Sequence, residues 1–180
     1  SNDNETVIYE EEDSVDIFTT DTNEEEDVYV ALTPESLAIR QQKLIEQASQ
    51  TFYISSDLSY LLLKKFNWNM DLLTSQWIEF PEMQGEIIKS FHIPENMIHD
   101  DLRLKPVGKG ECDVCMNEDV DLYQLYCGHV LCGDCWAGEM NFQISEGKST
   151  VVCRIDQCNA EIMLPDVAKF CGQEKADRFH

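Results

Sequence analysis

The chain has 180 residues with 35 acidic against 13 basic side chains, and its formal charge of −22 excludes a simple electrostatic binder of nucleic acid or of an anionic membrane. A hydrophobic content of 43% is enough for one or two small packed domains. No apolar run approaches the ~20 residues of a membrane-spanning helix and no basic, apolar leader opens the chain, so a soluble intracellular protein, cytoplasmic or nuclear, is expected.

Residues 1–32 read as an acidic disordered leader. Twelve carboxylates lie between Asp3 and Asp27, and the first basic residue is Arg40. Scattered apolar residues such as Val7, Ile8 and Phe18 bury too little surface to offset chain entropy. Two roles stay open: a solvated tail, or a short linear motif that uses Tyr9, Phe18 or Tyr29 as anchors for a basic partner.

From residue 33 to 92 the pattern is helical. Thr33 and Pro34 form a cap-and-proline start, followed by Leu37, Leu44, Ile45, Ala48 and Phe52 at helical spacing. Ser55, Ser56 and Asp57 open a second helix carrying Leu58, Leu61, Leu62 and Phe66. Asn69 caps a third with Met70, Leu73, Trp77 and Phe80, and Pro81 restarts the chain into a fourth with Met83, Ile87, Ile88 and Phe91. Short amphipathic helices of this kind predict a small all-α bundle. Residues 93–110, with Pro94, Pro106, Gly108 and Gly110, have the composition of a linker.

All eight cysteines fall between Cys112 and Cys171. The order is Cys112 and Cys115, then Cys127 and His129, then Cys132 and Cys135, then Cys153 and Cys158. Two-residue gaps suit thiolates converging on a metal better than disulfides, and zinc takes four such ligands in a tetrahedron. Seven cysteines and His129 make two complete sets with no position left for water, so two structural zinc ions are expected. Consecutive or interleaved pairing of these ligands is equally compatible with the spacing. Between Cys112 and Cys158 eight acids face two bases, Lys148 and Arg154, which leaves a protein-binding module and excludes a nucleic-acid-reading finger.

The ligand order is similar to the RING domain, whose cross-brace joins first pair to third and second to fourth. That resemblance implies one ion on Cys112, Cys115, Cys132 and Cys135 and a second on Cys127, His129, Cys153 and Cys158. More closely, the run from Cys127 to Trp136, with four residues between Cys153 and Cys158, resembles the first RING of RING-between-RING ubiquitin ligases of the Ariadne group. The run Leu61 to Asn69, with Leu72, Leu73 and Trp77, resembles the ubiquitin-associated-like (UBA-like) domain that precedes that RING. The likeness covers roughly residues 33–170. The fold it implies is a helical UBA-like bundle (33–92), a linker (93–110) and a small α+β cross-brace RING (111–171), with 172–180 leading toward a further region.

In the resembled ligases the first RING docks a ubiquitin-conjugating enzyme and ubiquitin passes to a cysteine of a second RING. The aliphatic residue between the first two ligands, here Val114, makes that contact, and Trp136 would line the same groove, with Arg154 and Ile155 in the second docking loop. Val114 and Trp136 each have a second reading as packing around the metal. Arg154 stands where a proline is usual, and Asn159 follows the eighth ligand in place of the basic residue by which many RING ligases clamp the conjugate. Cys171 has neither a base nor an electropositive setting in local sequence and reads as structural, so no catalytic residue is expected in this chain, which stops at His180 before a second RING. The UBA-like bundle implies ubiquitin, or the ubiquitin-like modifier of cullins, as a partner. The alternatives are an ordinary RING ligase, or a zinc-dependent interaction module without transferase activity.

Overall fold

Four capped helices open the described part of the chain, residues 33–179 of a computed structural model. The acidic leader lies outside the described residues. Helix α1 (Pro34–Phe52) starts where the Thr33 hydroxyl accepts the Ser36 amide, and ends at Tyr53, which turns left-handed at φ 55° and returns its N–H to the Ser49 carbonyl. Helix α2 (Ser56–Lys65) is capped by Ser55 and buries Leu58, Leu61, Leu62 and Leu63. Asn67 and Trp68 both adopt positive φ and reverse the chain into α3 (Met70–Glu79), whose Asn69 cap accepts the Leu72 amide at 2.9 Å. Pro81 then begins α4 (Pro81–Ser90).

The bundle closes on Ala48, Leu58, Leu61, Leu62, Leu73, Trp77, Ile87 and Ile88. Phe52 packs on Trp77 with ring centroids 6.0 Å apart. Helical periodicity placed Leu37, Phe80 and Met83 on the inner faces as well, but they are exposed at 39–40%. Leu37 sits in the first turn of α1, a helix whose one fully buried residue is Ala48, in its C-terminal half. Phe80 and Met83 flank the break between α3 and α4, where the backbone leaves the helical region and the side chains swing outward.

The segment 93–110 corrects the linker expectation. Ile93, Leu102 and Leu104 are buried, and Lys105–Gly110 forms strand β1. β1 pairs antiparallel with β2 (Val120–Gln124), and β2 with β3 (Val130–Cys132), in the order β1-β2-β3. The proline and glycines that suggested a linker instead shape an edge strand: the register shifts between Pro106 and Gly108, and Gly108 takes φ 109°, which a side chain would oppose. Helix α5 (Gly133–Ser145) follows β3 directly. A short hairpin and helices α6 (Leu164–Cys171) and α7 (Gln173–Ala176) complete the described chain.

Two buried carboxylates tie the strap Leu102–Leu104 from either side. Asp57, at the start of α2, accepts the Leu102 amide at 3.0 Å and pairs with the Arg103 guanidinium at 2.7–3.0 Å. Asp166, at the start of α6, accepts the Leu104 amide at 3.0 Å, and burial pushes its carboxyl pKa up against that hydrogen bond and the nearby Arg103. One core therefore runs from the bundle through Leu102 and Leu104 to Cys112, Leu125, Trp136 and Val167. Among the described residues no helix is long and apolar enough to cross a membrane.

Candidate metal centres

Each cluster of metal-ligating side chains draws on two distant stretches of backbone. Cys112 and Cys115 lie on the turn after β1, closed by the Met116 amide on the Cys112 carbonyl at 2.8 Å and the Cys112 amide on the Asn117 carbonyl at 3.0 Å. Cys132 ends β3 and Cys135 sits in the first turn of α5, which bring two more sulfurs to the first pair. Cys127 and His129 occupy the β2–β3 turn, where Gly128 takes φ 93° and donates its N–H to the Leu125 carbonyl. They meet Cys153 and Cys158 at the hairpin, whose tip turns through left-handed Asp156 and Gln157.

The pairing is interleaved: Cys112, Cys115, Cys132 and Cys135 form one group, and Cys127, His129, Cys153 and Cys158 the other, with donor atoms in each within 4.8 Å of one another. A zinc tetrahedron with Zn–S near 2.3 Å and Zn–N near 2.0 Å has edges of about 3.8 Å between sulfurs and about 3.5 Å from sulfur to nitrogen. Observed sulfur pairs are Cys112–Cys135 at 3.8 Å and Cys115–Cys132 at 3.7 Å. His129 Nδ1 lies 3.3 Å from Cys127 Sγ and 3.4 Å from Cys153 Sγ. The donor sets therefore fit a four-coordinate divalent ion at both places.

Without an ion the ligand thiols split: Cys112 and Cys153 are shifted toward the thiolate, whereas burial pushes Cys132, Cys135 and Cys158 toward the thiol. Burial opposes a charge on Cys112, but the amides of Cys115, Cys132 and Val114 point at its sulfur and hold its pKa well below the usual thiol range; the Cys132 N–H lies 3.4 Å away. Cys127 and Cys153 shift in opposite directions because one proton is shared between them: Cys127 is held as the thiol, and the hydrogen bond it gives Cys153 favours the thiolate there. A divalent cation in that site relieves the same crowding of charge.

The residues named for partner contact fare differently. Val114 is 60% exposed, which removes its reading as a knuckle core. Trp136 is the correction: it is 0% exposed and its indole N–H donates to the Tyr123 carbonyl at 2.9 Å, so it packs β2 against α5 and presents no face to a docking groove. Arg154 is exposed beside the Glu139 carboxylate at 3.6 Å and lies 5.6 Å from the Phe142 ring centroid, while Ile155 is half-buried against the core. Two further apolar side chains that the sequence did not single out stand at the surface, Met116 at 67% and Phe142 at 50% exposed. Position was the available signal, since Met116 directly follows the second ligand and Phe142 lies three residues beyond Glu139, on the same side of α5.

Cys171 is half-buried with its thiol toward the Ala137 carbonyl at 3.7 Å. Burial raises its pKa, and Lys175 offsets this only in part, which is the reverse of an activated nucleophile.

No protein-family model matches the chain. Curated relatives do. It is 27% identical over 149 residues to the Arabidopsis thaliana protein described as "Probable E3 ubiquitin-protein ligase ARI3", covering 81% of this chain and 27% of that one. It is 26% identical over 128 residues to E3 ubiquitin-protein ligase ari-1.1 of Caenorhabditis elegans, covering 71% and 25%. With E3 ubiquitin-protein ligase dbl4 of Schizosaccharomyces pombe it shares 24% identity over 123 residues, covering 66% and 23%. The chain is thus homologous to ubiquitin ligases and spans about a quarter of the length of these relatives.

Proposed function

We propose that this chain is the part of an Ariadne-type RING-between-RING ubiquitin ligase that recruits a ubiquitin-charged conjugating enzyme, for transfer to a cysteine of a second RING outside these residues. The carrying observation is the interleaved pair of four-donor clusters, with Val114 projecting into solvent between two ligands of the first. Zinc in these clusters supplies cross-links, because four protein donors fill its coordination and leave no open position. The residues do the rest: Val114 and Met116 offer an apolar tip on the first ligand loop, and Arg154 and Ile155 shape the second. The first tip is anchored at its base by buried Cys112, so it meets a partner at low entropic cost. Asn159 offers no cationic clamp for the conjugate, which favours relay to a downstream cysteine over direct discharge from an ordinary RING.

Val114→Asp tests this. The variant should keep about two zinc ions per chain and lose conjugating-enzyme binding by at least about tenfold, the scale on which truncated hot spots act. Unchanged binding in a titration calorimeter would defeat the docking role, and lost zinc content would return Val114 to a packing role.

The helical bundle suits a second partner, ubiquitin or the modifier of cullins. Leu72 and Ile78 of α3, Phe80 between the helices and Met83 of α4 are exposed apolar side chains, neighboured in sequence by Asp71, Glu79 and Glu82. Titration of the labelled chain with each modifier should move amides of α3 and α4; silence from both at high micromolar concentration would count against this partner.

A further inference from the structure

The hairpin that carries Cys153 and Cys158 is held from outside the zinc segment. Its stems pair through the Cys153 amide on the Ala160 carbonyl and the Ile162 amide on the Val151 carbonyl, both at 2.8 Å. On one side Gln143 of α5 grips Val152 with both ends of its amide, accepting the N–H at 3.0 Å and donating to the carbonyl at 2.7 Å. On the other side stands Lys64, from the last turn of α2 in the helical bundle. Its ammonium donates to the Thr150 hydroxyl at 3.0 Å and to the Glu161 carboxylate at 2.6 Å, and lies 5.6 Å from the Tyr60 ring centroid.

Thr150 and Glu161 belong to the two opposite stems, and Glu161 bridges directly to Val152. The lysine therefore closes the open end of the hairpin, while the second metal cluster closes the tip end. Arg154 and Ile155 lie beyond both, in the loop between the ligands Cys153 and Cys158, so the stem that Lys64 joins and the metal cluster together carry that loop. Side-chain exposures of 36% for Lys64 and 18% for Glu161 place the pair between a solvated ion pair, which holds little, and a buried one. Three partners, a hydroxyl, a carboxylate and a ring face, fix the ammonium more firmly than one would.

We propose that Lys64 is a positioning residue for the second docking loop: by joining the two stems of the Cys153–Cys158 hairpin it sets the pose of Arg154 and Ile155, and through them the affinity for a conjugating enzyme. The inference rests on the docking reading above. It makes the helical bundle a working part of the docking surface, since the residue that aligns the loop belongs to α2.

The test compares wild type, Lys64→Met, Lys64→Arg, Glu161→Gln and Val114→Asp, all in the full chain with zinc. Lys64→Met keeps the apolar stem and removes the ammonium. Expected are an unchanged zinc content, shifted amide resonances at Arg154 and Ile155, and about a threefold to tenfold weaker titration with a conjugating enzyme, the range in which network residues modulate a site. Glu161→Gln should act in the same direction, and Lys64→Arg should restore both the resonances and the affinity. Equal binding by wild type and Lys64→Met, with Val114→Asp inactive, would overturn the role of Lys64 and leave the docking reading standing. No binding by wild type to any of a panel of conjugating enzymes would remove the docking reading, and this inference with it.

Discussion

Stripping the metal with a chelator should unfold everything from Cys112 to Cys158. Each four-donor site is worth roughly 10–16 kcal/mol of metal binding, against about 5–15 kcal/mol of net stability for a whole domain. Without the ions, seven sulfurs and one imidazole crowd into two clusters with nothing to neutralise the thiolates, and the small sheet and the packing around Trp136 are left to hold the segment alone. The loss should not stop at the zinc segment. Cys112, Leu102 and Leu104 share one core with the bundle, so α1–α4 should lose cooperativity as well. Far-ultraviolet circular dichroism should show a fall beyond the 13 residues of α5, and thermal melting of what remains should broaden. Acid should act in the same direction as the chelator, because protons compete with the metal for thiolates: zinc content should hold near neutrality and fall as pH drops. A sharp melt unchanged after chelation would mean the clusters do not carry the fold.

Replacing Trp136 with alanine should be the most damaging single change away from the ligands. The side chain is among the largest of those fully buried, and its removal should cost about 3–5 kcal/mol, with about 1 kcal/mol more from the unpartnered Tyr123 carbonyl. Trp136→Phe should cost less, keeping most of the volume while losing the N–H. Val114→Asp, on an exposed loop tip, should leave the urea midpoint almost where it was. The contrast between the two positions, read from denaturation midpoints, separates a residue that holds the fold from one offered to a partner. Equal midpoints for wild type and Trp136→Ala would contradict the buried role.

Much of this arrangement was legible in the residues. Thr33, Ser55 and Asn69 announced three helix starts, and all three caps form, because capping is a local event that a side chain settles with an amide three residues on. Ligand spacing announced two metal sites, but it was compatible with consecutive or interleaved pairing, and only the resemblance to a RING selected the pattern that the backbone shows. What stayed hidden depended on distant partners. The strap at Leu102–Leu104 sits among prolines, glycines and charges, and nothing nearby says that Asp57 and Asp166 will fix it. Trp136 follows a ligand at the start of a helix, where the chain could turn it either way; the Tyr123 carbonyl, 13 residues earlier, decides. Nothing in the local sequence marks Lys64; only the fold brings Thr150 and Glu161, 86 and 97 residues on, to its ammonium.

The most direct test of the central claim is a map of amide resonances for the zinc-loaded chain titrated with a ubiquitin-conjugating enzyme. Shifts should gather at Val114, Met116, Arg154 and Ile155, with the Trp136 indole N–H moving little because it is sealed against Tyr123. A conjugating-enzyme panel that leaves all four of those residues unmoved, or that moves only the helical bundle, would contradict recruitment by the zinc segment.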